Sequence, residues 1–327
     1  MAMPSPPRIL LNNSVVLITA RVEEGLPFVA TQYLNLIIWS ILARAQTLYD
    51  IKLCHLFLMG NHLHFILCVK DPESIVRFME RFKTESSHAI NRLLGRRQRT
   101  VWCDGYDCVP MLTAEDVISK IAYLYLNPSK ARLVNHIEEY PGVSSWEMFQ
   151  SNKLEKISPW VRRTHITALT SHSLTLSQQR IVAQNILAKT DPEIVHKFTL
   201  TPDLWMDSFG ITDPKTRSEI NSHIFITVKE EEDRLKKQNP RVIGAQALTL
   251  QSISKPFTPK KFSPRMWCIC KNKEVRINFI KWVKLLINKG REVSARWKCG
   301  DFSKPYPPGL FPPRFPVLCN LIDVRFS

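Results

Sequence analysis

Met59-Gly60-Asn61-His62-Leu63-His64-Phe65-Ile66-Leu67-Cys68-Val69 holds the residues best suited to chemistry. In a strand, side chains alternate between faces, so His62 and His64 point one way and Leu63 and Phe65 the other. Two imidazoles on one face can share a divalent metal and leave positions open for a substrate oxygen. The plain alternative is two satisfied histidines at a sheet surface. What the rest of the chain supplies decides between them.

The spacing around this stretch predicts the elements that must hold it. Ser14–Ala20 is rich in β-branched residues and reads as a first strand. Gly25 and Pro27 punctuate the loop that follows. From Thr31 to about Gln46, Leu34, Ile37, Ile38, Ile41 and Leu42 recur at helical spacing. Ile51–Leu58 reads as a second strand. Gly60-Asn61 turns the chain back, so that His62 begins the returning strand. Asp71 caps a helix with Pro72 at its first position, running to about Leu94. Gly95-Arg96-Arg97-Gln98-Arg99 is a basic loop, either a solvated turn or a phosphate contact. Val101–Leu112 reads as extended.

Thr113 caps a further helix, with Asp116 at its third position. Pro128 biases Asn127 away from the helical region, which ends the helix there and starts a second short one over Ser129–Val134. Tyr123 and Asn127, four apart, share a face.

The 327 residues suffice for two domains or one large one. The net charge of +16 is unevenly placed. Residues 1–150 carry 15 basic and 14 acidic side chains, residues 151–250 carry 14 and 11, and residues 251–327 carry 16 and 4. A basic segment that also holds Trp and Phe points to a polyanion, most often nucleic acid. The eight cysteines are scattered and form no secreted framework. Cys268-Ile269-Cys270 with Cys299 has the wrong spacing for a zinc knuckle, so reduced, buried thiols in a cytoplasmic protein are the reading. No secretory pattern opens the chain, and Gly25–Ala43, though uncharged, is interrupted by polar residues and reads as a helix rather than a membrane span.

Taken in order, Met59-Gly60-Asn61-His62-Leu63-His64, Phe82-Lys83, Trp102, Tyr123-Leu124-Tyr125-Leu126-Asn127-Pro128-Ser129-Lys130-Ala131-Arg132-Leu133-Val134, Tyr140-Pro141 and Ser144-Ser145 resemble the single-tyrosine HUH transposases, in particular the REP-associated tyrosine transposases, over about residues 14–149. The resemblance implies an α+β fold, with a ferredoxin-like antiparallel sheet and packed helices. It implies Tyr123 as nucleophile, with Tyr125 the alternative, and His62, His64 and Asn127 as ligands of Mg²⁺ or Mn²⁺. The implied reaction cleaves and rejoins single-stranded or hairpin DNA through a 5′-phosphotyrosine link, by a monomer or a homodimer. This family often has glycine where this chain has Arg132, and a positive φ there would strain an arginine.

Beyond Phe149 the pattern stops. Residues 151–250 read as an α-rich accessory region, with helices over Leu176–Leu187 and from Pro214 to about Lys237, and with Glu230–Asp233 as a solvated face. Gln238–Lys261 reads as a linker. Residues 251–327 form a basic segment in which Glu274–Asn288 is a helix that either contacts DNA or packs on the catalytic region. Lys304–Pro316 is proline-rich and irregular. The DNA-contacting candidates are Lys83, Arg96, Arg97, Arg99, Lys130, Arg276, Lys281 and Lys284. A DNA-binding relative without catalytic activity and a purely hydrolytic metal-dependent nuclease remain the alternatives.

Overall fold

The computed structural model describes residues 9–23, 30–97, 99–254 and 266–313. Its first 111 residues follow the order β1 (Val15–Arg21), α1 (Gln32–Tyr49), β2 (Lys52–Met59), β3 (His62–Cys68), α2 (Pro72–Leu93) and β4 (Asp107–Met111). The sheet order is β2-β3-β1-β4, all antiparallel. This is the ferredoxin-like βαββαβ arrangement. The β2–β3 turn at Gly60-Asn61 pairs Met59 with His62.

Cross-strand partners share a face. Phe65 meets Phe78 and Phe82 of α2, so Phe65 with its partners Leu56 and Ile18, and Leu63 with its partners Leu58 and Ala20, form the helix-packed layer. His62 and His64 lie on the opposite face, beside Arg21 and Thr19 of β1. The other face is covered by α3 (Ala114–Lys130), whose Tyr125 reaches His55 of β2. Thr113 caps α3 through the Asp116 amide at 3.2 Å.

One expectation is overturned here. The helix does not stop at Asn127; it runs through Pro128 to Lys130, and no second helix covers Ser129–Val134. Proline forfeits a single i→i−4 bond near a helix end, where the cost is small, and the Ala131 amide resumes the ladder by donating to Asn127 at 2.9 Å. Arg132 then sits at φ 57°, the left-handed region the sequence raised as a source of strain. Ile243 and Gly244 donate to the carbonyls of Arg132 and Leu133 at 3.0 and 2.8 Å and hold the turn in place.

The remaining elements are α4 (Trp146–Ser151), β5 (Glu155–Pro159), α5 (Leu176–Leu187), β6 (Val195–Thr199), α6 (Leu204–Asp207), α7 (Pro214–Gln238), α8 (Ala245–Thr249) and α9 (Lys273–Lys298). β5 and β6 form a two-stranded antiparallel sheet among these helices. It is stitched to α1 by Gln46, which donates to the Thr199 carbonyl at 2.7 Å and accepts from its amide at 2.8 Å. The stretch expected to be a linker is partly built: α8 lies within it, and Leu248 and Ile253 join the main core. Its residues 255–261 lie outside the described residues, as do 314–316 of the proline-rich stretch and Cys319. Five of the cysteines are buried, and those described are all free thiols.

The run Glu230–Asp233 is not wholly a solvated face. Glu232 is 2 % exposed, wedged between α7 and the end of α3. It accepts from Ser129 Oγ at 2.9 Å and from the Ile137 amide at 2.7 Å, with His136 Nδ1 at 3.4 Å from its other oxygen. Helical spacing places Val228, also buried, one turn away, so packing required position 232 to face inward. Burial raises the carboxyl to about 7 from its ordinary 4.5 despite those donors. The native state therefore holds this proton more tightly than the unfolded chain, and stability falls as pH rises through that interval. Glu232→Gln should thus gain in melting temperature relative to wild type between about pH 4.5 and about pH 7. A gap that stays constant with pH in paired thermal melts would contradict this.

Candidate active site

The site is built on the sheet face that carries the histidines. His62 Nδ1 lies 2.7 Å from Asn61 Oδ1, and His64 Nδ1 lies 3.0 Å from Thr19 Oγ1. A carboxamide oxygen only accepts, so His62 Nδ1 carries the proton and its Nε2 keeps a free lone pair. Donation from His64 Nδ1 to the threonine hydroxyl would do the same for the second ring. The two rings stand edge to face, centroids 4.8 Å apart. Burial, then the Arg21 guanidinium, lowers His62 to about 4. Burial lowers His64 to about 3, with His62, Lys120 and Arg21 adding to the effect. Both imidazoles are neutral at physiological pH, the form that ligates metal.

Tyr123 is 44 % exposed on α3. The ammonium groups of Lys120 and Lys130 stand 4.7 and 4.9 Å from its ring centroid. Lys120 therefore lies next to the phenol, and its charge is also felt at His64. Burial and the neighbouring Lys130 lower the Lys120 pKa. Asn127, one turn beyond Tyr123, is buried, and its amide nitrogen has no hydrogen-bond partner. An orphaned, buried amide end on the Tyr123 face of α3 fits a cation ligand, because reversing the amide presents an oxygen there. Among the described residues no three His, Cys, Asp or Glu side chains converge as a metal cluster. The candidate donor set is two histidines and one asparagine.

Tyr125 has a different role. It is fully buried, its hydroxyl 2.8 Å from His55 Nδ1 and 2.8 Å from Ser145 Oγ. Burial drives its pKa far above the ordinary tyrosine value, which suits a packing residue rather than a nucleophile.

The expected DNA contacts are scattered. Lys130 borders Tyr123. Lys83 is tied to the carbonyls of Cys103 and Gly105 at 2.9 and 2.7 Å. Arg97 and Arg99 are exposed at the end of α2, and Arg96 is half-buried beside them. Arg276 donates to the Cys270 carbonyl at 2.8 Å, whereas Lys281 and Lys284 are exposed on α9. Sequence reasoning missed Lys120, although its position three residues before Tyr123 put it on the same face. Thr19 and Arg21 carried no such signal, because only the β1–β3 register brings them to the histidines.

Residues 27–127 match the family model described as Transposase IS200 like. That segment contains both histidines, Tyr123 and Asn127, and the resemblance drawn from the sequence stands over it. A solved structure described as "Structure of the REP associates tyrosine transposase bound to a REP hairpin" is similar at 14% identity and a TM-score of 0.38, covering 46% of this chain and 87% of that one. No curated protein matches the chain. Among the described residues no helix is long and apolar enough to cross a membrane.

The two tyrosines should separate in stability measurements made without DNA. Tyr125→Phe strips a buried partner from His55 and Ser145 and should cost ~1–3 kcal/mol in chemical denaturation. Tyr123→Phe should stay within ~0.5 kcal/mol of wild type. Equal losses would mean that Tyr123 is structural.

Proposed function

We propose that the protein is a metal-dependent DNA transposase that cleaves and rejoins single-stranded DNA at hairpin or repeat sequences through a 5′-phosphotyrosine intermediate. One arrangement carries this reading: half-buried Lys120 stands against the ring of an exposed tyrosine, Tyr123, and its charge also acts on His64, one of two neutral histidines on the same sheet face. Tyr123 is the nucleophile. Its Oη forms a bond to the scissile phosphorus as the P–O3′ bond breaks. The phenolic proton leaves to solvent, and the departing 3′-oxygen takes up a proton to become a 3′-hydroxyl. The phosphotyrosine ester conserves the broken bond, so a second 3′-hydroxyl can reverse the step without ATP.

His62, His64 and Asn127 would hold Mg²⁺ or Mn²⁺. When bound, the ion would polarise the phosphate and neutralise its developing charge. The chain's own residues do the remaining work. Asn61 and Thr19 orient the two rings, as outer partners of metal-ligating histidines do. Lys120 and Lys130 supply fixed positive charge where an anionic substrate must approach the phenol. Burial of Tyr125 leaves Tyr123 as the only phenol of the pair that can reach a substrate.

The test is a denaturing gel of protein with labelled single-stranded hairpin DNA and Mn²⁺. A covalent band should form with wild type and Tyr125→Phe and vanish with Tyr123→Phe and His62→Ala. Loss with Tyr125→Phe alone would move the nucleophile. Metal-dependent cleavage without a band would favour a hydrolytic nuclease, and tight binding without cleavage a catalytically silent DNA-binding relative.

A further inference from the structure

α9 is the most basic element in the described residues. Residues 273–298 hold eight lysines and arginines against Glu274 and Glu292. Its rotation is set by one packed stripe, with Val283, Leu286, Gly290 and Val293 buried. A second stripe, at three- and four-residue intervals, holds Lys281, Lys284, Asn288, Arg291, Ala295 and Lys298, every one of them outside the buried set. None of its four cations pairs with a carboxylate among the described residues. Four unpaired cations on one face of a helix repel one another, and a polyanion relieves that repulsion.

The helix is clamped at both ends. At its start, the Lys271 amide donates to Asp116 Oδ1 at 2.8 Å and Lys271 Nζ donates to Ser119 Oγ at 2.8 Å. Ser119 lies four residues before Tyr123, so the segment that opens α9 is tied to the helix that carries the candidate nucleophile. At its far end, Tyr306 and Leu310 pack against Gly290, where a Cβ would lie 3.0 Å from Leu310 Cδ1. The strap they belong to then returns to the sheet layer, the Leu10 amide donating to the Gly309 carbonyl at 3.2 Å.

We infer that this stripe of α9 is a binding surface for the phosphate backbone of double-stranded DNA, gripping the stem of a hairpin whose single-stranded flank enters the Tyr123 site. The inference rests on the strand-transfer reading for the identity of the flank. Length and composition favour a duplex over a single strand. Lys281 and Lys298 are about 26 Å apart at a helical rise of roughly 1.5 Å per residue. That spans about seven base pairs at roughly 3.4 Å each. Surfaces for single strands interleave cations with rings on which bases stack, and no aromatic residue lies on this stripe. Phe279 and Trp282 pack on each other on the side of the buried stripe, and Trp297 is committed to the strap through the Lys304 carbonyl. Contacts of this kind carry charge and no sequence information.

The experiment measures binding by fluorescence anisotropy across a salt series, using full-length Tyr123→Phe protein. The probes are a blunt mixed-sequence duplex of about twenty base pairs and an oligo-dT of equal length. Lys281→Gln/Lys284→Gln/Arg291→Gln/Lys298→Gln should lose about tenfold or more in duplex affinity at low salt, with the slope of log K against log salt shallower by about 3 to 4. Oligo-dT binding should change far less, and the matching lysine-to-arginine and arginine-to-lysine variant should restore duplex binding. Arg291 and Lys298 border the strap, so Lys281→Gln/Lys284→Gln serves as a second variant, with about half the slope change. An unchanged duplex slope in both variants overturns the inference, as does an equal loss on oligo-dT. Covalent capture of a short unstructured strand is tried separately with the wild-type protein, where it should succeed. If capture fails while the duplex results hold, the strand-transfer reading falls and the surface stands.

Discussion

Tyr125 fixes the rotation of α3. Its hydroxyl is sealed between His55 and Ser145, and Ser145 in turn accepts from the Leu56 amide at 2.9 Å. A helix turns about 200° over two residues, so burying Tyr125 forces Tyr123 outward. Asn127, one turn further, then faces the same region as Tyr123, and Lys120, one turn earlier, completes the row. The chemistry proposed for the exposed side is therefore set by packing on the buried side. Pro128 does not disturb this, because the helix passes through it and carries Asn127 in register.

The electrostatics follow from the same geometry. Two imidazoles buried on a sheet face beside Arg21 and Lys120 stay neutral. They add no positive charge of their own, and their lone pairs remain available. Fixed cations around them make the region attractive to phosphate. The charge is held by structural constraint: the β1–β3 register delivers Arg21, and α3 delivers Lys120.

Local pattern carried much of this. Strand alternation put His62 and His64 on one face, the Asp71-Pro72 and Thr113 caps opened α2 and α3, and helical spacing joined Tyr123 to Asn127. What escaped had non-local causes. Nothing near Glu232 in sequence reveals that Ser129 and the Ile137 amide receive it, so a run of four acids read as solvated. The passage of α3 through Pro128 depended on later residues, since Ile243 and Gly244 hold the turn that follows it. The stretch after Gln238 looked unstructured because its composition did not disclose that Leu248 and Ile253 find places in a core built by other segments. Lys120 was legible, at i−3 from the tyrosine, and was overlooked.

The sheet also ends in an unusual way on both flanks. Along β2, the Leu58 amide donates to the Val143 carbonyl at 2.9 Å and the Thr201 amide to the Leu53 carbonyl at 2.8 Å. Along β4, the Ile269 amide donates to the Pro110 carbonyl at 2.8 Å, and its own carbonyl accepts from Leu112 at 3.2 Å. Edge strands ordinarily present open rows of backbone donors and acceptors to other chains. Here segments from far along the same chain occupy those rows. Two copies could not fuse their four-stranded sheets into one continuous ladder without first peeling away residues 143, 201 or 269.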